Sequence, residues 1–262
     1  MIDLHCHIIP KIDDGAVDLE TAEQMLVLAA TTGTKVLVAT PHVIEGQWLP
    51  EWSLIQSKVA ELQVLSDQAG LGMKLYPGAE MAMNFDLLNL IATPGTYCLN
   101  GSRYLLLELP AFEVPACTDD FLFRLQTKGI VPILAHPERH PVLMKEPERL
   151  LEWVQHGLLV QVNAGSILGK MGEEVQLTAE VFLKNQLVHC LGSDAHGVKQ
   201  RRPILDEAVA RIKELVGVER TIQITEENPG KILQNFELKV AIPEQLIWKQ
   251  PRKGIFGFWK RH

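Results

Sequence analysis

His5 and His7 stand two residues apart at the end of the opening apolar run Met1-Ile2-Asp3-Leu4. On an extended segment, side chains at i and i+2 point to one face, so both imidazoles reach a single metal ion. Asp13, Asp14 and Gly15 follow on a turn and supply carboxylates. The same residue types recur further along, each just after an apolar run. They are His42 in Ala39-Thr40-Pro41-His42, Glu80 after Pro77-Gly78-Ala79, Glu108 within Leu105–Pro110, and His136 in Ala135–His140, with Asp194 and His196 in Ser193–Gly197. Imidazole and carboxylate ligands without cysteine suit Mn²⁺, Fe or Zn²⁺ rather than calcium or an iron–sulfur cluster. So many ligands exceed the needs of one ion, which implies two or three with a carboxylate such as Glu80 bridging. Closely spaced divalent ions lower the pKa of a shared water and clamp phosphoryl oxygens, so a phosphate ester is the natural substrate. Arg139, Arg201 and Arg202 stand near these ligands and offer planar guanidinium groups for phosphate. The plainer reading is that they neutralise nearby carboxylates. Cys6 alternates away from His5 and His7 and reads as core packing.

The elements that must position these groups read as alternating strands and helices. Short apolar strands are expected at Ile2–His5, Lys35–Ala39, Met73–Gly78, Tyr104–Leu109, Ile130–Ala135, Leu159–Asn163 and Val188–Leu191. Runs apolar on both faces mark a buried parallel sheet. Helices are expected at Asp18–Thr32, Glu51–Ala69, Asp119–Lys128, Glu146–His156, Glu173–Lys184 and Asp206–Leu215. The first two close before Gly33 and Gly70, as helix ends do. Strand starts recur about every 30 residues, the length of a βα unit. The expected fold is α/β, a distorted (β/α)7 TIM-like barrel, with the site at the carboxyl ends of its strands. An open doubly wound sheet is the alternative. The chain reads as one domain over residues 1–243 with a separate tail, 244–262.

Composition narrows the function. The chain has 262 residues and a net charge of −7, which argues against a general nucleic-acid binder. Cys6, Cys98, Cys117 and Cys190 lack paired spacing, so a disulfide framework is not expected. With no basic leader and no apolar stretch long enough to span a bilayer, the expected address is the cytoplasm. Two tempting motifs fail. Cys98–Arg103 is one residue short of the Cys-x5-Arg loop of cysteine phosphatases and precedes a strand, where that loop needs a helix N-terminus. Gly165–Lys170 is too short for a P-loop, and Met171 replaces the Ser/Thr metal ligand. From Lys249 the tail is basic and aromatic, with Phe256, Phe258 and Trp259. It reads as a frayed end or as a weak contact with an anionic membrane surface or a membrane-anchored kinase.

The stretches HCHIIPKIDDG, ATPH, PGAE, LLLELP, AHPER, QVNAGS and SDAHG occur in that order. Together they resemble the polymerase-and-histidinol-phosphatase (PHP) superfamily over residues 1 to about 235. Within it they most resemble the bacterial manganese-dependent protein-tyrosine phosphatases encoded with capsule and exopolysaccharide genes. The resemblance implies three divalent ions, with Mn²⁺ expected and Fe or Zn²⁺ as alternatives. It assigns His5, His7, Glu80 and Asp194 to the first ion, Glu80, Glu108 and His136 to the second, and Asp14, His42 and His196 to the third. Asp14 is preferred to Asp13 because the motif places the ligand immediately before the glycine. Arg139 matches the family's phosphate-contacting arginine, and a following proline favours Arg202 over Arg201 as the second. The implied reaction is in-line attack on phosphorus by a hydroxide generated at the metals, without a phosphoenzyme. The implied substrate is phosphotyrosine on a bacterial tyrosine autokinase. A histidinol-phosphate phosphatase is the rival enzyme, and a non-catalytic kinase-docking adaptor the rival of another class.

Overall fold

The computed structural model of the chain describes residues 1–91, 94–239, 241 and 243–247. The expected segments from Lys249 onward therefore lie outside the described residues. In chain order the elements are β1 (Ile2–Cys6), α1 (Leu19–Thr31), β2 (Val36–Ala39), β3 (His42–Val43), α2 (Trp52–Gln68), β4 (Lys74–Pro77) and β5 (Glu80–Ala82). They continue with β6 (Tyr104–Glu108), α3 (Thr118–Thr127), β7 (Val131–Ala135), α4 (Pro147–Gln155) and β8 (Leu159–Asn163). The last are α5 (Ala164–Ile167), α6 (Glu173–Lys184), β9 (Cys190–Gly192), α7 (Asp206–Ile222) and α8 (Asn228–Leu233).

All strand pairs are parallel, in the orders β1-β2-β4 and β3-β5-β6-β7-β8-β9. A parallel bridge from Cys6 to Ala195 ties the end of β1 to the segment after β9, so the sheet curls round on itself. An open doubly wound sheet would leave those two segments apart. The expected strands Lys35–Ala39 and Met73–Gly78 form β2 and β4, and beyond a break after each the chain continues in a short strand that was not expected. Pro41 has no N–H to continue a ladder, and after it the chain resumes as β3. At Gly78 a side chain would meet Leu99 at 2.8 Å and Val38 at 3.0 Å, and after it the chain resumes as β5. These breaks let His42 and Glu80 pair in register on β3 and β5.

The sheet separates two cores. Leu4, Val38, Leu106, Ile133, Leu159 and Cys190 meet on the concave side. Leu37, Leu105, Leu107, Val160 and Leu191 alternate with them and pack outward among the helices. Leu4 and Cys6 break this parity, facing opposite sides although two apart. The cause is a bulge: Asp3 to Cys6 spans three residues where Leu37 to Ala39 spans two. The concave core is closed at the amino ends of the strands by α8, an element absent from the sequence expectation. Ile232 and Leu233 enter that core. Tyr104 Oη donates to the Phe236 carbonyl at 2.7 Å, and Asn100 Nδ2 to that of Leu233 at 3.0 Å. Burying an aliphatic side chain contributes about 1.5–3 kcal/mol, which holds a helix too short to form alone.

Helix boundaries follow their caps. Asp18 accepts from the Thr21 amide at 2.8 Å and starts α1, as expected. Helix α7 runs past the expected end at Leu215, broken only at Gly217, whose φ of +82° is a conformation glycine tolerates.

Candidate metal centre

The first loop folds back over its own strand. Gly15 lies so close to His7 that a side chain would meet the His7 carbonyl oxygen at 2.1 Å, and Ala16 N donates to that oxygen at 3.0 Å. This return brings Asp13 beneath the first imidazole pair. One Asp13 oxygen accepts from His7 Nδ1 at 2.8 Å and from the His42 amide at 3.0 Å; the other accepts from the Gly15 amide at 2.9 Å. Asp14, next along, points the other way with its side chain 47% exposed. The two adjacent carboxylates therefore have different work. Asp13 orients two candidate ligands, and Asp14 faces them.

Three groups of candidate ligands adjoin one another, with donor atoms inside each group within 4.8 Å: His7, Asp14, His42 and His196; His5, His7 and Glu80; His42, Glu80 and Glu108. His136 Nε2 lies 2.9 Å from Glu80 Oε1 and 3.7 Å from Glu108 Oε1. Asp194 Oδ1 is 3.5 Å from His5 Nε2 and 3.6 Å from His7 Nε2. All nine residues expected as ligands thus face one hollow at the carboxyl ends of the strands. Their partition differs from the implied one in that His7 and His42 each stand between two groups.

The ring nitrogens reveal what the hollow demands. His5 Nδ1 is matched to Gln161 Oε1 at 2.9 Å and His7 Nδ1 to Asp13, so both Nε2 atoms present lone pairs. Those Nε2 atoms face each other at 3.0 Å. Two lone pairs at that separation require a cation, either a proton or a metal ion, between or beside them. His42 Nδ1, Glu80 Oε2 and His196 Nε2 are buried without a well-formed hydrogen bond and crowd one another instead, His42 Nδ1 at 3.1 Å from Glu80 Oε2 and His196 Nε2 at 3.3 Å from Asp14 Oδ1. Buried polar groups left so poorly satisfied are costly in a folded protein unless something binds them. The donor set fits divalent metal ions.

The charges within the cluster point the same way. Burial opposes a charge on His7, but its bonds to Asp13 and Glu80 outweigh burial and raise it to about 10. His136 rises to about 9 because Glu80 outweighs burial in the same way. Burial would also raise Glu80, yet the surrounding histidines hold it well below the usual carboxylate range. Glu108 is pushed up to about 7 by burial and by the Glu80 charge. Burial and the His7 charge push His196 down to about 3. Cations are in demand and in short supply.

Two arginines border the cluster. Arg139 Nη1 donates to Asp194 Oδ2 at 2.8 Å. Arg201 holds Asp194 through its Nη2, and its Nε donates to the Asp194 carbonyl at 3.1 Å. Arg202, favoured from sequence, is exposed. Arg201 adopts a left-handed φ of +46°, and its carbonyl accepts from the His196 amide at 2.9 Å, which turns the loop so that Arg201 rather than its neighbour faces inward. His136 and Asp194 are also left-handed, at φ +34° and +52°, conformations costing about 1–3 kcal/mol that persist where surrounding contacts enforce them.

Sequence reasoning did not single out the supporting residues. Gln161 Nε2 donates to Asn163 Oδ1 at 2.9 Å, and Asn163 Nδ2 to Asp194 Oδ2 at 2.7 Å, linking His5 to Asp194 through β8. Buried Asp3 accepts from the amides of His5 and Ser193 and joins β1 to the loop after β9. Polar Gln161 and Asn163 in an otherwise apolar strand were the available signal. The rejected Cys98–Arg103 motif lies away from this hollow. Cys98 is buried with its thiol raised to about 11, and Arg103 is engaged by Asn235.

Fold and site together define an α/β protein whose candidate metal ligands gather at the carboxyl ends of a curled parallel sheet. The chain belongs to the capsular polysaccharide synthesis family CpsB/CapC, whose model matches residues 1–234. It is 30% identical to tyrosine-protein phosphatase YwqE of Bacillus subtilis, over 99% of this chain and 100% of that protein. It is 26% identical to tyrosine-protein phosphatase CpsB of Streptococcus pneumoniae, over 90% and 99% of the two chains. The crystal structures of YwqE and CpsB, described as unique metal-dependent tyrosine phosphatases, include a chain that superposes with a TM-score of 0.88. That match covers 95% of this chain and 100% of the other at 28% identity. A lactonase from Listeria monocytogenes shares the fold alone, at a TM-score of 0.56 and 12% identity over 88% and 94% of the two chains.

Proposed function

We propose that this chain is a metal-dependent protein-tyrosine phosphatase, a phosphoric monoester hydrolase, acting on a bacterial tyrosine autokinase that regulates capsular or exopolysaccharide synthesis. The observation that carries the reading is the set of converging lone pairs and poorly satisfied buried groups beside Arg139 and Arg201. The family supports it, since relatives of nearly the same length are named tyrosine-protein phosphatases. In this reading three divalent ions, Mn²⁺ first among the candidates, are held by His5, His7, Asp14, His42, Glu80, Glu108, His136, Asp194 and His196. When bound, such ions activate water and withdraw charge from phosphoryl oxygens.

The protein's own groups do the rest. Arg139 and Arg201 grip the phosphate oxygens, releasing part of their hold on Asp194. Asp13 and Gln161 keep the His7 and His5 rings turned toward the hollow. A tyrosine leaving group has a pKa of about 10 and departs with little proton assistance. This suits a site whose histidines are committed as ligands. The curled sheet is then a distorted (β/α)7 barrel, with β2/β3 and β4/β5 each counted as one interrupted strand. Residues 1–243 form the catalytic domain and 244–262 a tail for kinase or membrane contact. Among the described residues no helix is long and apolar enough to cross a membrane, and we place the protein in the cytoplasm.

Turnover of a phosphotyrosine peptide and of histidinol phosphate after reconstitution with Mn²⁺, Fe²⁺ or Zn²⁺ tests the reading. A clear preference for the peptide is expected. Preference for histidinol phosphate would transfer the assignment to a small-molecule phosphatase, and inertness with every metal would leave an adaptor.

A further inference from the structure

Beside Glu108 and His136 a cavity of about 260 Å³ opens toward solvent, walled by Leu109, Phe112 and Pro137 and reached by Arg139. Phe112 is 86% exposed, although an aromatic ring of its size would ordinarily be drawn into the core. It sits on the loop between β6 and α3. Pro110 and Pro115 fix their own φ angles on either side of it. His140 closes it from beneath. Its Nδ1 accepts from the Val142 amide at 3.3 Å, so its Nε2 carries the hydrogen and donates to the carbonyls of Pro110 at 3.0 Å and Glu113 at 3.2 Å. The ring thus stands exposed at the rim of the cavity, on a loop that His140 ties down through the carbonyls on either side of it.

We propose that this cavity is an aryl subsite in which Phe112 is the specificity-determining residue and His140 the positioning residue that presents it. The proposal rests on the phosphatase reading above and names the chemical class of its substrate side chain. A phosphate gripped by Arg139 beside Glu108 and His136 projects its ester group toward Phe112. A benzene molecule occupies an apolar cavity of about 150 Å³ in other proteins, so the volume here admits a phenyl ring. The ring would meet Leu109 and Pro137 on one side and Phe112 on the other. Offset or edge-to-face contact with an aromatic partner favours an aryl over an alkyl ester beyond its buried area. An alkyl ester keeps the phosphate contacts and forgoes this one.

The test uses the full chain loaded with Mn²⁺ and measures inhibition of phosphotyrosine-peptide hydrolysis by phenylphosphonate, methylphosphonate and inorganic phosphate. The ratio of the methyl to the phenyl inhibition constant isolates the subsite. It is expected to exceed ten in the wild type and to fall about tenfold in Phe112→Ala, with phosphate inhibition within twofold. His140→Ala is expected to lower the ratio as well. His140→Gln, whose amide can donate to the same carbonyls, should restore it, which a merely structural role for the ring would not predict. A wild-type ratio near one, or a Phe112→Ala ratio within twofold of wild type, overturns the aryl subsite while leaving the phosphatase reading intact. A wild-type protein that turns over no phosphotyrosine peptide with any metal overturns both. Phe112 is exposed, so its replacement leaves the core untouched and the variant folds.

Discussion

Replacing Asp13 by alanine should do more damage than replacing Asp14, although the two carboxylates are adjacent. Asp13 accepts from His7 Nδ1, the Gly15 amide and the His42 amide, all within 2.8–3.0 Å. Its removal leaves three donors without a partner, each costing about 1–3 kcal/mol before water relieves part of it. The expected loss for the metal-free protein is therefore about 3–5 kcal/mol. The pH dependence has a definite sign. His7, raised from 6.5 to about 10, contributes stability that is complete below pH 6.5 and lost as pH rises toward 10. Asp13 is lowered because the His7 bond outweighs burial, and its contribution is present above pH 3.8 and lost on further acidification. The deficit of Asp13→Ala should thus be largest between pH 3.8 and 6.5. Chemical denaturation of the metal-free protein across that range measures it, and chelator competition measures metal affinity, expected to fall about 10–100-fold. Asp14→Ala should leave metal-free stability within about 0.5 kcal/mol, as exposed substitutions do, and still lose metal. Equal stability of the two variants would refute the division of labour between these carboxylates.

Metal binding should also release protons, because His7 and His136 rest near 10 and 9 without metal and must deprotonate to ligate. With Glu108, raised to about 7 and so part-protonated at neutral pH, calorimetric titration in buffers of different ionisation enthalpy at pH 7 should report about two to three protons per chain, and affinity should rise with pH. Arg201→Ala should lower kcat about 100-fold, the effect of removing one donor to developing charge, while Arg202→Ala should stay within about threefold. Steady-state kinetics on a phosphotyrosine peptide would decide, and equal effects would return the role to Arg202 or to both.

The candidate ligands were legible in the sequence because each lies at or just beyond the end of an apolar run, and a parallel sheet delivers all its carboxyl ends to one side. The strand breaks at Thr40-Pro41 and Gly78-Ala79 were less so. Pro41 marks one plainly, but the close approach that requires Gly78 involves Leu99 and Val38, far away in the chain. The bulge in β1 was illegible for a similar reason, since it exists only relative to the register of β2. Asp13, Gln161 and Asn163 do not touch the hollow first; they touch the residues that do, and such roles depend on three-dimensional neighbours. Arg201 and Arg202 are indistinguishable by type, and a single left-handed residue decides between them. Helix α8 was missed because six residues around a Pro-Gly pair carry no helical period of their own.

In the reading proposed above, this hollow holds metal ions and hydrolyses phosphotyrosine. The most direct measurement is phosphate release from a phosphotyrosine peptide by the full chain, first stripped by chelator and then reloaded with Mn²⁺. No release is expected from the stripped protein, with full recovery on reloading and loss of that recovery in Glu80→Gln, where a carboxylate shared between two ligand groups is neutralised. Release that survives complete metal removal would contradict that reading.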